Sequence, residues 1–127
     1  MKKIFLSIIA LVLVFTVTAC NSKKDDNSSA LAFKEEYEEL NGKENASGKV
    51  HRTLNIDSDN PYIKVTPAEI VEKIENGDTF YLYVGDPLCP WCRSVIEKAI
   101  EVANNNEIYT IYYVPIWDDN GNEILRD

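Results

Sequence analysis

Histidine, cysteine and positive charge are scarce in this sequence. It has one histidine, three cysteines, and 13 lysine and arginine residues against 21 aspartate and glutamate residues, for a formal net charge of −8. This balance disfavours nucleic acid as a partner, because phosphate binding rewards clustered lysine and arginine. It equally disfavours electrostatic attachment to anionic lipid. A structural zinc site takes four ligands and is disfavoured, because His51, Cys89 and Cys92 are too few. We expect His51 to lie on an exposed loop or edge strand instead. We predict no metal and no other cofactor.

Long apolar runs are also absent, except at the N-terminus, where residues 4–17 follow two lysines. This run is too short to span a bilayer comfortably as a permanent helix, and it has the length of a signal-peptide core. It ends in Val17-Thr18-Ala19-Cys20, which resembles the bacterial lipobox and implies cleavage before Cys20 and lipidation of that residue. We therefore predict a lipoprotein signal peptide at 1–19 and an extracytoplasmic chain, lipid-anchored to the bacterial cell membrane. An uncleaved anchor or a plain secretory signal is the alternative.

The other two cysteines form the motif Cys89-Pro90-Trp91-Cys92. The motif follows a strand-like run, 79–84, and precedes an amphipathic, helix-like run, 93–103. A helix N-terminus offers unpaired N–H groups and a partial positive charge, which favour a thiolate over a thiol. We predict that Cys89 lies exposed just before the helix and that Cys92 lies one turn on, partly covered. An inert structural disulfide is the alternative, but such a small loop restrains the unfolded chain little.

Upstream of these elements the pattern is weaker. We predict a solvated polar tether at 20–30 and then an extension at 31–61. Within this stretch, Phe33, Tyr37 and Leu40 share one face of a short helix at 30–40, which we expect to pack loosely on the domain. The alternating apolar residues between 50 and 56 indicate a short edge strand.

Signals are sharper from residue 62 onwards. A short strand carries Ile63 and Val65, and Thr66-Pro67-Ala68-Glu69 then matches a helix capping box with proline at the first helical position. Ile70, Val71 and Ile74 supply the apolar face of this helix, and Asn76-Gly77 ends it. The strand at 79–84, the cysteine motif, its helix and a β-rich run at 108–116 follow, and residues 118–122 form a turn. In the helix after the motif, the predicted inward residues are Val95, Ile96, Ala99, Ile100 and Ala103. The order β-α-β-CxxC-α-β predicts an α/β fold with helices across the faces of a parallel or mixed sheet.

A strand, then Cys-Pro-Trp-Cys, then a helix resembles the thioredoxin superfamily, and the match covers about residues 62–116. With the lipobox and the polar tether, the whole arrangement looks like thioredoxin-family lipoproteins of Gram-positive bacteria. The resemblance implies a thioredoxin-like, partial β-α-β-α-β three-layer fold with an N-terminal extension. It also implies that Cys89 is the nucleophile and Cys92 the resolving thiol. Between them, Pro90 and Trp91 are expected to contact substrate, with a merely packed Trp91 indole as the alternative.

The sequence departs from that family at two points. Thioredoxin has a buried carboxylate near the end of the strand before the motif, and the matching residue here is Tyr83; Asp86 lies nearby but in the turn. The family fold also continues with a strand pair that begins at a cis-proline, and Pro115 lies too early to take that role. We therefore expect the domain at 62–127 to be incomplete, either a minimal variant or a truncated form. Such a sheet exposes an edge and one apolar face.

Two functions remain open from the sequence. The first is a membrane-tethered thiol–disulfide oxidoreductase that acts on protein or small-molecule thiols and disulfides, together with an unidentified redox partner. The second is a non-catalytic surface lipoprotein that retains a truncated thioredoxin-like remnant as a binding or accessory module.

Overall fold

Three parallel strands form one sheet in the order β1-β3-β2. The structure, a computed structural model, describes residues 24–118 and 120–124, so the predicted signal peptide, Cys20 and Asp119 lie outside the described part. The α/β prediction is confirmed: helices and strands alternate along the chain from the first strand onwards. The elements are α1 (Lys24–Glu38), β1 (Tyr62–Lys64), α2 (Pro67–Glu75), β2 (Leu82–Gly85), α3 (Pro90–Asn105) and β3 (Ile111–Pro115).

One face of the sheet carries the hydrophobic core. In the strand register, Lys64 of β1 lies beside Tyr113 of β3, which lies beside Tyr83 of β2, so their side chains point to the same face. Helices α1 and α3 cover this face, because their apolar residues join the same cluster. The buried members of the cluster are Phe33, Tyr37, Leu54, Ile56, Tyr62, Ile96, Ile100 and Tyr113.

The opposite face of the sheet is only partly covered. Helix α2 buries Ile70, and the ammonium of Lys73 lies 4.5 Å from the ring centroid of Tyr112 on this face. On the neighbouring strand β2, Leu82 and Val84 remain exposed. The expectation of an uncovered apolar face therefore holds for these two strand residues.

The structure corrects the prediction for the first helix. It runs over Lys24–Glu38, so residues 24–29 of the predicted tether are helical, and it ends before Leu40. It does not pack loosely, because Phe33 and Tyr37 have no exposed surface and their rings contact each other at 4.6 Å between centroids. The ring of Phe33 also stacks on Tyr62 of β1 at 4.2 Å. Helix α1 is thus part of the core.

The predicted edge strand at 50–56 is wrong. Within this segment only Val50 makes a bridge, an isolated antiparallel one to Glu44. The segment is instead held by side chains: Asn41 donates to the Leu54 carbonyl at 2.8 Å and accepts from the Leu54 N–H at 2.9 Å. The carboxylate of Glu38 accepts from the Ile56 N–H at 2.6 Å. Since side chains satisfy these backbone groups, Leu54 and Ile56 are buried although the segment does not join the sheet.

The second helix begins as predicted. The Thr66 hydroxyl accepts from the Glu69 N–H at 3.3 Å, and the Glu69 carboxylate accepts from the Thr66 N–H at 2.7 Å, which completes the capping box. Asn76 is the C-cap residue, and Gly77 follows with a φ of 76°. On the predicted apolar face of this helix, Ile70 is buried, whereas Val71 and Ile74 are exposed.

The remaining elements differ from prediction mainly at their ends. Strand β2 begins at Leu82 rather than 79, and the cysteine-motif helix α3 is longer than the predicted run, reaching Asn105. In α3 the predicted inward residues Ile96, Ile100 and Ala103 are buried, whereas Val95 is exposed. No helix in the described ranges has the length and apolar character needed to cross a membrane.

Candidate active site

A tight turn after β2 sets the position of the cysteine pair. The Asp86 carboxylate accepts from the Leu88 N–H at 2.8 Å, and the Asp86 carbonyl accepts from the Cys89 N–H at 3.0 Å. The indole N–H of Trp117, from the segment after β3, donates to the other carboxylate oxygen at 3.2 Å. Asp86 is therefore occupied in shaping the turn and tying it to the C-terminal segment.

Both cysteines lie at the N-terminus of α3, as the sequence predicts. Cys89 is the N-cap residue, with φ −73° and ψ 120°, and Pro90 follows at the first helical position. The Cys89 carbonyl accepts the first helical hydrogen bond, from the Arg93 N–H at 3.0 Å. Cys92 lies in the first turn, so both thiols belong to one end of one helix. The two side chains are partly buried free thiols.

The helix terminus favours the thiolate of Cys89. The Cys89 side chain makes no capping hydrogen bond. Nevertheless, the backbone N–H of Cys92 lowers the pKa of the Cys89 thiol, with smaller contributions from the Cys92 side chain and the Trp91 N–H. Burial and the charge of Asp86 oppose this shift, but the net pKa lies below the ordinary value. A lowered pKa is the property that a nucleophilic cysteine requires.

The two residues between the cysteines face solvent. Trp91 is 82% exposed, and Pro90 is also exposed. The alternative of a packed Trp91 indole is therefore wrong. The placement leaves both side chains available for contact with a substrate, and the substrate-contact role stays a prediction.

Tyr83 lies beneath the cysteine pair, at the position where the family resemblance implies a buried carboxylate. Its ring extends towards the end of β2, over Gly85: a Cβ at that glycine would overlap the ring, with Cε1 only 2.6 Å away. The Tyr83 hydroxyl interacts with the Cys92 side chain and lies 3.1 Å from the Tyr37 hydroxyl of α1. Gly85 thus has a specific role, since it leaves room for the tyrosine.

Three tyrosine hydroxyls form a connected group behind Cys92. Besides contacting Tyr83, the Tyr37 hydroxyl interacts with that of Tyr113, which donates to a carboxylate oxygen of Glu36 at 3.1 Å. Burial is the main cause that raises the pKa of Tyr37, Tyr83 and Tyr113. These hydroxyls therefore stay protonated at any ordinary pH.

A buried arginine follows the motif directly. The Arg93 side chain has no exposed surface, and it donates five hydrogen bonds. Its guanidinium reaches the Tyr37 carbonyl at 2.7 Å and, from two nitrogens, the Arg52 carbonyl at 2.6 and 3.1 Å. It also reaches the Pro87 carbonyl at 3.3 Å and the Asn41 side-chain oxygen at 2.9 Å. Arg93 therefore ties α3 to the turn before it, to α1 and to the segment after α1.

Sequence reasoning missed Arg93 and the tyrosine group as parts of the site. In the sequence, Arg93 is an arginine among the apolar residues of an amphipathic helix, and no pattern marks it as part of the site. Tyr37 lies on the predicted apolar face of the first helix and Tyr113 in the predicted β-rich run, and neither pattern indicates a hydroxyl contact. His51 was expected on an exposed loop or edge strand, but it is buried, with 6% of its surface exposed.

Among residues 24–118 and 120–124, no group of three or more histidine, cysteine, aspartate or glutamate side chains is placed to hold a metal ion. No known protein family, curated protein or solved structure matches the chain. Function is therefore inferred from the geometry of the site and from the resemblance of its motif.

Proposed function

We propose that this chain is a membrane-tethered, extracytoplasmic thiol–disulfide oxidoreductase of thioredoxin-like fold. The observation that carries the proposal is Cys89 at the N-cap of α3, with the N–H groups of Trp91 and Cys92 lowering the pKa of its thiol. The order of elements, with the motif between the edge strand β2 and helix α3 in a parallel sheet, supports the thioredoxin-like assignment.

The proposed chemistry proceeds in two steps. The Cys89 thiolate attacks one sulfur of a substrate disulfide; a mixed disulfide forms, and the other substrate sulfur leaves as a thiolate with the bonding electron pair. Cys92 then loses its thiol proton and attacks the Cys89 sulfur. The Cys89–Cys92 disulfide forms, the bond to substrate breaks, and the second substrate thiolate leaves. The substrate gains two electrons, and the cysteine pair loses them. The reverse sequence oxidises a substrate dithiol.

The tether is the second part of the proposal. The lipobox-like sequence that ends at Cys20 supports attachment through acyl chains, and the net charge of −8 disfavours attachment through anionic lipid head groups. Labelling cells that express the chain with a radioactive fatty acid tests this part. Incorporation into the parent chain and its loss in Cys20→Ser is expected, whereas equal labelling of both contradicts lipidation at this residue.

A trapping experiment tests the proposed chemistry. In a Cys20→Ser background, Cys89 and Cys92 are the only cysteines. With oxidised glutathione, the Cys92→Ser variant is expected to accumulate a stable mixed disulfide at Cys89, because the resolving thiol is missing. The matched Cys89→Ser variant is expected to accumulate far less adduct at Cys92. Equal adducts in both variants, measured by mass spectrometry of the intact chain, contradict the assigned roles.

One observation favours a binding module as the second candidate function. Val71 and Ile74 of α2 and Leu82 and Val84 of β2 expose apolar side chains on the face of the sheet opposite α1. In that case the cysteine pair is dispensable, and the Cys89→Ser and Cys92→Ser variants behave like the parent in every assay of function.

A further inference from the structure

Cys92 has to release a proton while it is partly buried, because the thiolate and not the thiol attacks the mixed disulfide. The Cys92 side chain is partly buried, and the Tyr83 hydroxyl interacts with it. A hydroxyl is both donor and acceptor, so it can take a proton from one neighbour and give its own to the next.

The hydroxyls continue from Tyr83 to the surface. The Tyr83 and Tyr37 oxygens are 3.1 Å apart, and the Tyr37 side chain interacts in turn with that of Tyr113, whose ring centroid is 6.1 Å from its own. Tyr113 donates to a Glu36 carboxylate oxygen at 3.1 Å. The glutamate side chain is 24% exposed, pairs with Lys64 at 3.2 Å, and lines an open groove of about 860 Å³. The chain of groups therefore begins at a partly buried thiol and ends at a carboxylate in contact with water.

We propose that Tyr83, Tyr37 and Tyr113 relay the Cys92 proton to Glu36 during resolution of the mixed disulfide. This inference rests on the proposed function. The Cys92 S–H proton passes to the Tyr83 oxygen, the Tyr83 proton to Tyr37, the Tyr37 proton to Tyr113, and the Tyr113 proton to the Glu36 carboxylate, which releases it to water. Each tyrosine is neutral before and after the transfer, and the electron pair left on Cys92 forms the new bond to Cys89.

Burial of the tyrosines fits a concerted transfer. The hydroxyls of Tyr37 and Tyr113 have no exposed surface, and desolvation strongly disfavours a tyrosinate there. A proton entering at one end must therefore displace one at the other end. The titratable groups that face the Cys92 thiol are Cys89 on α3, Tyr83 on β2 and Tyr37 on α1, and Asp86 in the turn faces Cys89.

The test separates the two steps of one reaction. The full chain carrying Cys20→Ser, in detergent micelles, is mixed with an aromatic disulfide whose thiolate product absorbs visible light. A first equivalent of the coloured thiolate reports attack by Cys89, and a second reports resolution by Cys92. The relay acts in the second phase alone, so the first phase is an internal control.

Three variants interrupt the relay at different places: Tyr83→Phe, Tyr37→Phe and Glu36→Gln. Each is expected to lower the rate of the second phase at least fivefold at pH 7 and to shift the pH at which that rate rises to a higher value. The rate of the first phase is expected to stay within twofold of that of the parent. The matched control is Tyr62→Phe, which removes a hydroxyl from the same core, next to Phe33, outside the relay. It is expected to change neither phase.

Three results overturn the relay. In the first, none of the variants slows the second phase; in the second, Tyr83→Phe slows it but Tyr37→Phe and Glu36→Gln do not, which means that the proton leaves by another route. A parent chain that gives no second phase contradicts the proposed function itself. A fall in thermal stability that accompanies slowing of both phases also contradicts the relay, because it indicates a purely structural effect.

Discussion

The hydroxyl oxygens of Tyr37 and Tyr83 lie 3.1 Å apart. This contact joins the first helix to the strand that leads into the cysteine motif. Arg93 makes a second connection, because it donates to the Tyr37 carbonyl from the first turn of α3. Helix α1 is therefore an integral part of the site, and its apolar residues cover one face of the short sheet.

The Cys89 thiol is expected to ionise more readily in the folded chain than in the unfolded chain. The backbone N–H of Cys92 is the main cause that lowers its pKa. The rate of Cys89 alkylation by iodoacetamide, followed by mass spectrometry in a Cys20→Ser, Cys92→Ser background, should reach half its maximum below the value of about 8.5 for an ordinary cysteine. The same variant in concentrated urea is the control.

The sign of the linked stability follows from this shift. Because the folded pKa of Cys89 is lowered, the thiolate stabilises the reduced fold above the unfolded pKa. That contribution disappears as the pH falls through the folded pKa. A half-maximal pH in the folded chain that equals or exceeds the one in urea contradicts the role of the helix terminus.

Arg93 is expected to be the most sensitive position in α3. Replacing it with methionine keeps the apolar stem but leaves buried carbonyl oxygens without donors, each at a cost of about 1–3 kcal/mol. The free energy of unfolding should therefore fall by about 3 kcal/mol or more in urea titrations. A loss below about 1 kcal/mol would show that water replaces the guanidinium.

Arg52→Ala is the matched control for Arg93. The Arg52 side chain is 58% exposed and pairs with Glu97 at 3.6 Å, while its carbonyl remains available to the buried guanidinium. An exposed pair of this kind contributes about 0.5 kcal/mol or less. Similar losses for the two variants would contradict the distinction between a buried and a surface arginine.

Gly85→Ala is expected to destabilise the fold by steric overlap with Tyr83. The φ of Gly85 is not in the left-handed region, so a loss reflects the missing space and not backbone strain. Overpacking of this kind costs about 1–3 kcal/mol. In a Tyr83→Ala background the same change should cost much less, and a double-mutant cycle by urea denaturation measures the difference. Additive losses would rule out direct overlap.

Trp91→Ala is expected to separate substrate contact from chemistry. The residue is 82% exposed, so the free energy of unfolding should change by less than about 0.5 kcal/mol. Exchange with a protein disulfide should show a higher KM, and exchange with oxidised glutathione should stay the same. Tyr109→Ala is the control, since Tyr109 is 77% exposed and precedes β3 at the opposite end of the sheet. Equal effects of both changes on the protein substrate would contradict a contact specific to Trp91.

Local signals could be read from the sequence, and long-range contacts could not. The capping box at Thr66 and the place of Cys89 before a helix depend on neighbouring residues, so their patterns predict them. Apart from Pro87, the partners of Arg93 are 41 to 56 residues away, and no local pattern indicates them. The apolar spacing of Val71 and Ile74 predicted a buried face, but burial requires a second surface, and the described residues place none against them.

The most direct test of the account is a redox titration of the full chain carrying Cys20→Ser in glutathione buffers, with the Cys89–Cys92 disulfide counted by mass spectrometry. The account predicts one two-electron transition, within roughly −120 to −270 mV, that forms an intramolecular disulfide and is lost in Cys89→Ser. A pair that stays reduced throughout this range, or that oxidises only between chains, would contradict the assignment of a thiol–disulfide oxidoreductase.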